Sequence, residues 1–106
     1  MNVSKINNTP FKGLLTISGP NKNNDVTVNT NAVSTINTLP YFGEKEDSTF
    51  GIGNKEGAVL TMNNGAGVRT FLPVENVVKA YKQAEASGEA KLETKYNPVM
   101  YKPLFG

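Results

Sequence analysis

Apolar and polar positions change period once along this chain, and the change marks the stretch around which the rest is organised. Ala58-Val59-Leu60-Thr61-Met62 reads as a short apolar strand ending at Asn63-Asn64-Gly65. Asn-Gly tolerates the positive φ of a tight turn and predicts a hairpin. A second strand follows at Val68-Arg69-Thr70-Phe71-Leu72, and Pro73 ends the extended run. From Val74 the period becomes about 3.6, with Val74, Val77, Val78 and Tyr81 at i, i+3, i+4 and i+7. This predicts a helix over about 74–87 that lays its valine stripe on the sheet. Gly88 is the expected C′ residue, and Glu75 in the first turn suits the macrodipole and can pair with Lys79.

Upstream, residues 1–10 are polar, with Val3 and Ile6 the only apolar side chains after Met1, and read as an extended arm. Residues 11–18 alternate, with Phe11, Gly13, Leu15 and Ile17 on one side, which predicts a strand. Gly19-Pro20-Asn21-Lys22-Asn23-Asn24 is a loop, and Val26-Thr27-Val28 a second strand paired antiparallel with the first. Val33 and Ile36, three apart among Ser and Thr residues, fit a brief turn feeding a third strand. Leu39-Pro40-Tyr41-Phe42-Gly43, followed by Glu44-Lys45-Glu46-Asp47, cannot be a central strand and predicts a protruding loop. Phe50 and Ile52 share one face of a further extended stretch at 48–53. Past Gly88, Lys91, Glu93 and Lys95 alternate with Leu92, Thr94 and Tyr96 as in an edge strand.

The last ten residues pair two prolines, Pro98 and Pro103, with five large apolar side chains: Val99, Met100, Tyr101, Leu104 and Phe105. A disordered tail is normally polar. Burial of these five would contribute roughly 1.5–3 kcal/mol each. Ordering about ten residues costs roughly 1–2 kcal/mol each. The two sums nearly cancel, so the tail either folds back over an open edge of its own domain or docks on a neighbouring subunit, the second being preferred. Tyr41 and Phe42 are the other candidate partner contact, since aromatic residues carry interface energy; the competing reading is that they roof their own barrel.

Composition narrows the chemistry. A chain of 106 residues makes one small domain with a real core. It has no cysteine and no histidine, which removes disulfides, thiolate nucleophiles, Cys/His zinc sites and histidine bases together. No catalytic residue, cofactor or metal ligand can be assigned, and the chain reads as no enzyme. Gly51-Ile52-Gly53 and Gly65-Ala66-Gly67 open no helix and precede no Gly-Lys-Ser/Thr, so they read as strand and turn glycines. Glu44, Glu46 and Asp47 lack the spaced ligands of a calcium loop. Net charge is +2 with a single arginine, Arg69, which is weak for a nucleic-acid binder. A small-barrel nucleic-acid-binding or regulatory module using Lys12, Lys55, Arg69, Lys79 and Lys82 is the alternative function. No stretch is apolar enough to span a membrane, and residues 1–20 lack the apolar centre of a signal peptide. The expectation is a protein not secreted by that route and without a membrane partner.

The run Leu14-Leu15-Thr16-Ile17-Ser18-Gly19, then Val26-Thr27-Val28-Asn29, Val33 to Ile36, Val59 to Gly65, and Phe71 into Val74 and Tyr81 is similar to compact flagellar-operon small-barrel proteins and small phage reading frames. The resemblance covers roughly residues 14–85; the insertion at 39–47 and both terminal arms depart from it. Those departures, with the asparagine-rich, cysteine-free composition, resemble small auxiliary or decoration proteins of tailed-phage capsids. The resemblance implies a non-enzymatic virion subunit that cements a capsid-like assembly of protein subunits, a homo-oligomer being one form of it, located in the virion or the cytoplasm of the producing bacterial cell. The expected fold is α+β, mostly β: a small antiparallel barrel or sandwich with one C-terminal packed helix. Its expected organisation is an arm at 1–10, a compact domain at 11–88 and an extended tail at 89–106.

Overall fold

The computed structural model describes residues 13–43 and 55–102. Seven strands and one α-helix lie among them: β1 (Leu14–Ser18), β2 (Val26–Asn29), β3 (Val33–Leu39), β4 (Gly57–Met62), β5 (Gly67–Thr70), α1 (Val74–Ser87), β6 (Glu89–Glu93) and β7 (Val99–Tyr101). The strands form a three-stranded sheet in the order β2-β1-β6 and a four-stranded sheet in the order β3-β4-β5-β7. The fold is α+β and mostly β, a small sandwich with one packed helix. The expected arm at 1–10, the strand at 48–53 and the acidic residues Glu44, Glu46 and Asp47 lie outside the described residues.

Alternation works as expected in β1, where Gly13, Leu15 and Ile17 are buried and Leu14 is exposed. β2 pairs antiparallel with β1, bringing Val28 opposite Leu15 and Val26 opposite Ile17. In β3 the three-residue spacing of Val33 and Ile36 has a simple cause. Val33 pairs with Met62 but Thr35 pairs with Thr61, so two residues of β3 oppose one of β4. Such a bulge resets the face of a strand, and both Val33 and Ile36 pack on the core. A single 3-10 turn, Thr30–Ala32, feeds the strand.

The β4–β5 hairpin turns where Asn-Gly predicts. Gly65 has φ 93°, its N–H donates to the Met62 carbonyl (2.9 Å), and Met62 N–H donates to the Ala66 carbonyl (2.7 Å). Asn64 Oδ1 accepts from Ala66 N–H. The helix starts after Pro73 and ends at Gly88, which has φ 97° and donates to the Ala84 carbonyl. Its buried face differs from the expected stripe. Val77, Ala80 and Ala84 are buried, with Val74 and Tyr81 packed against them, whereas Val78 lies outside the core cluster. Alanine carries little hydrophobic signal but allows close approach. A Cβ on Gly13 would run into the Ala84 carbonyl, so the start of β1 lies directly on the helix.

The edge strand predicted from the alternation at Lys91–Tyr96 is present over Glu89–Glu93, although the expected organisation places these residues in the tail beyond Gly88. They form β6, which pairs parallel with β1 over its whole length and places Ala90 in the core. The small sheet is therefore mixed, and the folded domain runs past Gly88. As an edge strand β6 carries exposed Glu89, Lys91 and Glu93, charges of the kind that discourage edge-to-edge association. The core between helix and sheets is built on Leu15, Ile17, Leu60, Val68 and Val77.

Three predictions concern Thr30 and Tyr81. Thr30 is buried with no hydrogen-bond partner for its Oγ1. Thr30→Val keeps the shape and removes the desolvated hydroxyl, so it should stabilise the chain by about 1 kcal/mol and raise Tm by roughly 5 °C in a calorimetric melt. Tyr81 donates to the Thr30 carbonyl (3.3 Å). Burial first, then the charge and hydrogen bonding of Glu85, pushes its phenol above the ordinary value. A raised phenol pKa contributes stability that is complete below the unfolded value, about 10, and is lost as pH rises through the folded one. Denaturant unfolding should therefore show this loss only above about pH 10. By the same cause, Glu85→Gln should lower the Tyr81 ring titration followed by NMR.

Candidate protein-binding interface

Strand β7 carries three of the residues that the sequence singles out for partner contact. It pairs antiparallel with β5, with Tyr101 opposite Gly67, Met100 opposite Val68 and Val99 opposite Arg69. The Tyr101 ring fills the place where Gly67 lacks a side chain, since a Cβ there would collide with it. The Arg69 guanidinium stands 4.7 Å from the centroid of the same ring, a cation–π contact worth about 0.5–1 kcal/mol at an exposed site. These two contacts help to hold a three-residue strand on its own domain. The tail thus folds back at Val99–Tyr101, while Leu104 and Phe105 lie outside the described residues. Even so, Val99, Met100 and Tyr101 remain 40%, 54% and 37% exposed.

Tyr41 and Phe42, taken together in the sequence, point to different environments. Phe42 N–H donates to the Leu39 carbonyl (3.4 Å), closing a four-residue turn with Pro40 second and Tyr41 third. Tyr41 has φ 63°, a conformation this turn position normally reserves for glycine or asparagine. Its side chain is 71% exposed. Phe42 instead stacks on Phe71, with centroids 4.5 Å apart and planes within 9°, and Tyr96 meets Phe71 edge-on at 5.2 Å. Phe42 roofs its own domain, and only Tyr41 is offered to solvent. Tyr41 follows β3 and the exposed trio sits on β7, so the two lie at opposite edges of the four-stranded sheet. They do not form one patch.

A third surface escaped the sequence. Between β2 and the β4–β5–β7 face runs an open groove of about 600 Å³, lined by Val26, Val28, Met62, Val68, Met100 and Lys102 among others. Its apolar side chains come from four strands distant in sequence, and no local pattern announces it. Among the described residues, Met100 is the one both chosen from the sequence and placed here.

The cations of the nucleic-acid alternative lie on separate elements: Arg69 on β5 beneath Tyr101, Lys79 and Lys82 on the wet face of α1, and Lys55 before β4. Lys12 lies outside the described residues. Among the described residues, no group of three or more His, Cys, Asp or Glu could hold a metal ion, and no helix is long and apolar enough to cross a membrane. Comparison of the chain with protein-family models, curated proteins and solved structures finds no match.

The split between the two aromatics is directly measurable. Phe42→Ala should cost about 3 kcal/mol, the low end for loss of a packed phenylalanine. Tyr41→Gly relieves the left-handed backbone and should leave stability unchanged or raise it by up to about 1 kcal/mol. Chemical denaturation of the two single variants tests both. Equal losses would return Tyr41 to the core.

Proposed function

We propose that this chain is a non-enzymatic structural subunit that binds and cements a larger protein assembly, a phage capsid. The observation that carries the reading is the exposure of Val99, Met100 and Tyr101 on a strand already docked on the domain. Apolar side chains fixed before binding lose little entropy when a partner covers them. Tyr and Arg are also residue types in which interface energy concentrates, and Arg69 and Tyr101 are stacked in the free chain. Tyr41 supports the same reading from the opposite sheet edge. A non-glycine residue held at positive φ stores strain without gaining burial, as expected of a side chain presented outward for contact. The capsid itself is what the resemblance implies: the insertion at 39–47, both terminal arms and the asparagine-rich, cysteine-free composition resemble small decoration proteins of tailed-phage capsids, and on that reading the subunit belongs to the virion.

The test is co-sedimentation with capsids of the native phage stripped of this subunit. The full chain should sediment with them. A Tyr41→Ser/Val99→Ser variant should bind at least tenfold more weakly, a difference of about 1.4 kcal/mol. Both substitutions are on the surface, and the variant's own melt should stay within about 0.5 kcal/mol of the parent. A chain that never sediments with the capsid rules out the cementing role; equal binding by the variant rules out these contacts.

A further inference from the structure

Strand β6 ends the small sheet, in the order β2-β1-β6, with an edge that no other strand among the described residues covers. Two backbone bonds fix which of its groups point outward. Leu14 N–H donates to the Gly88 carbonyl (3.0 Å) and Thr94 N–H to the Ser18 carbonyl (2.8 Å). Backbone groups alternate sides along a strand, so those of Ala90 and Leu92 also face β1. The N–H and C=O groups of Glu89, Lys91 and Glu93 therefore point away from it, toward a further strand. The side chains of these three are exposed and lie on the face opposite Ala90 and Leu92, which turn to the core. Their charges alternate along that face, negative, positive, negative, with Lys91 Nζ 3.8 Å from a Glu93 carboxylate oxygen.

Charge on an edge strand deters pairing, yet this pattern of charge fits a strand of its own kind in selected registers. In an antiparallel pair, opposed residues whose free backbone groups face each other exchange both hydrogen bonds. Glu89, Lys91 and Glu93 must then oppose one another across the contact. A pair centred on Lys91 sets lysine against lysine and Glu89 against Glu93. Centring on Glu89 or Glu93 sets two carboxylates together. Only the centres at Ala90 and Leu92 set lysine against glutamate, twice in each case. The Ala90 centre brings Glu93 against Ser87, which is helical. The Leu92 centre keeps extended chain on both sides, with Ala90 opposite Thr94. Leu92 is also only partly buried and lines an open groove between α1 and β6 with Ala80, so pairing across the axis covers apolar surface that the domain leaves open. We infer that β6 joins β6 of a second copy, antiparallel about a twofold axis at Leu92, with Lys91 opposite Glu93 of the other copy and the reverse. Opposite charges directly across a strand pair stabilise it, and like charges destabilise it. The contact is isologous and closes at a dimer, joining the two three-stranded sheets into one. It concerns copies of this chain alone and does not depend on the capsid.

Sedimentation velocity of the purified full chain over a concentration series, with amide hydrogen exchange followed by NMR, reads it out. The parent should dimerise, and the Lys91 and Glu93 amides should gain protection as the dimer forms. Lys91→Glu and Glu93→Lys each turn both cross-axis pairs into like charges, and each should weaken the dimer at least tenfold. Both positions are exposed, so the melts of the two variants should match that of the parent. Mixed in equal amounts, the two should form a heterodimer, because every lysine again meets a glutamate. The double variant Lys91→Glu/Glu93→Lys should dimerise like the parent for the same reason. A parent that stays monomeric near millimolar concentration overturns the inference, as do single variants that fail to pair when mixed. A dimer that Glu93→Lys leaves intact excludes the Leu92 axis, and one in which both amides exchange freely has its interface elsewhere. Protection that arises only when capsid is added assigns the edge to another protein and excludes the second copy.

Discussion

Helix and small sheet meet at one corner, and the placement of both sheets follows from it. Gly88 ends α1 in a left-handed conformation, its N–H donating to the Ala84 carbonyl and its own carbonyl accepting from Leu14 N–H (3.0 Å). One residue thus caps the helix and begins the pairing of β6 with β1. Beside it, Gly13 lies so close to the Ala84 carbonyl that a Cβ would not fit. With helix and strand in backbone contact, Ala80 and Ala84 suffice where larger side chains would hold the elements apart. The hydrophobic core cluster from Leu15 to Ala90 is assembled around that approach.

That geometry leaves the sandwich unevenly closed. The helix packs mainly along β6, with further contacts to β1, β3 and β4. In the large sheet β5 is buried, and β7 at its edge is the exposed strand. Sheet edges are usually guarded by charge, bulges or proline. Here β6 has its charges, β3 its bulge at Val33–Thr35, and β7 is flanked by Pro98 and Pro103. β2 carries none of these, and the groove opens beside it.

Presentation of apolar side chains is the common theme of the surfaces. The tail would gain about as much from burial as it loses in entropy if it had to find a groove unaided. Pairing Val99–Tyr101 with β5 changes that balance, because Tyr101 covers Gly67 and stacks with Arg69 within its own domain. Tyr41 is presented by different means. Pro40 and a left-handed turn aim it outward while its neighbour Phe42 is held by Phe71.

Local physics made much of the fold legible in the sequence. The helix from Val74 to Ser87 is bounded by Pro73 and Gly88, whose backbone preferences act on their own residues. Alternation announced β1, and Asn64-Gly65 the hairpin, for the same reason. Tertiary structure decided what depends on a distant partner. β6 became part of the domain because β1 offered a parallel edge, a pairing no local pattern encodes. Val78 left the core while Ala80 and Ala84 entered it, because the approach of β1 rather than side-chain hydrophobicity set the buried face. Tyr41 and Phe42 separated because one turn peptide sends adjacent side chains to different environments. The groove exists only because three strands were laid over four. It is a property of the space between elements, and no single stretch of sequence contains it.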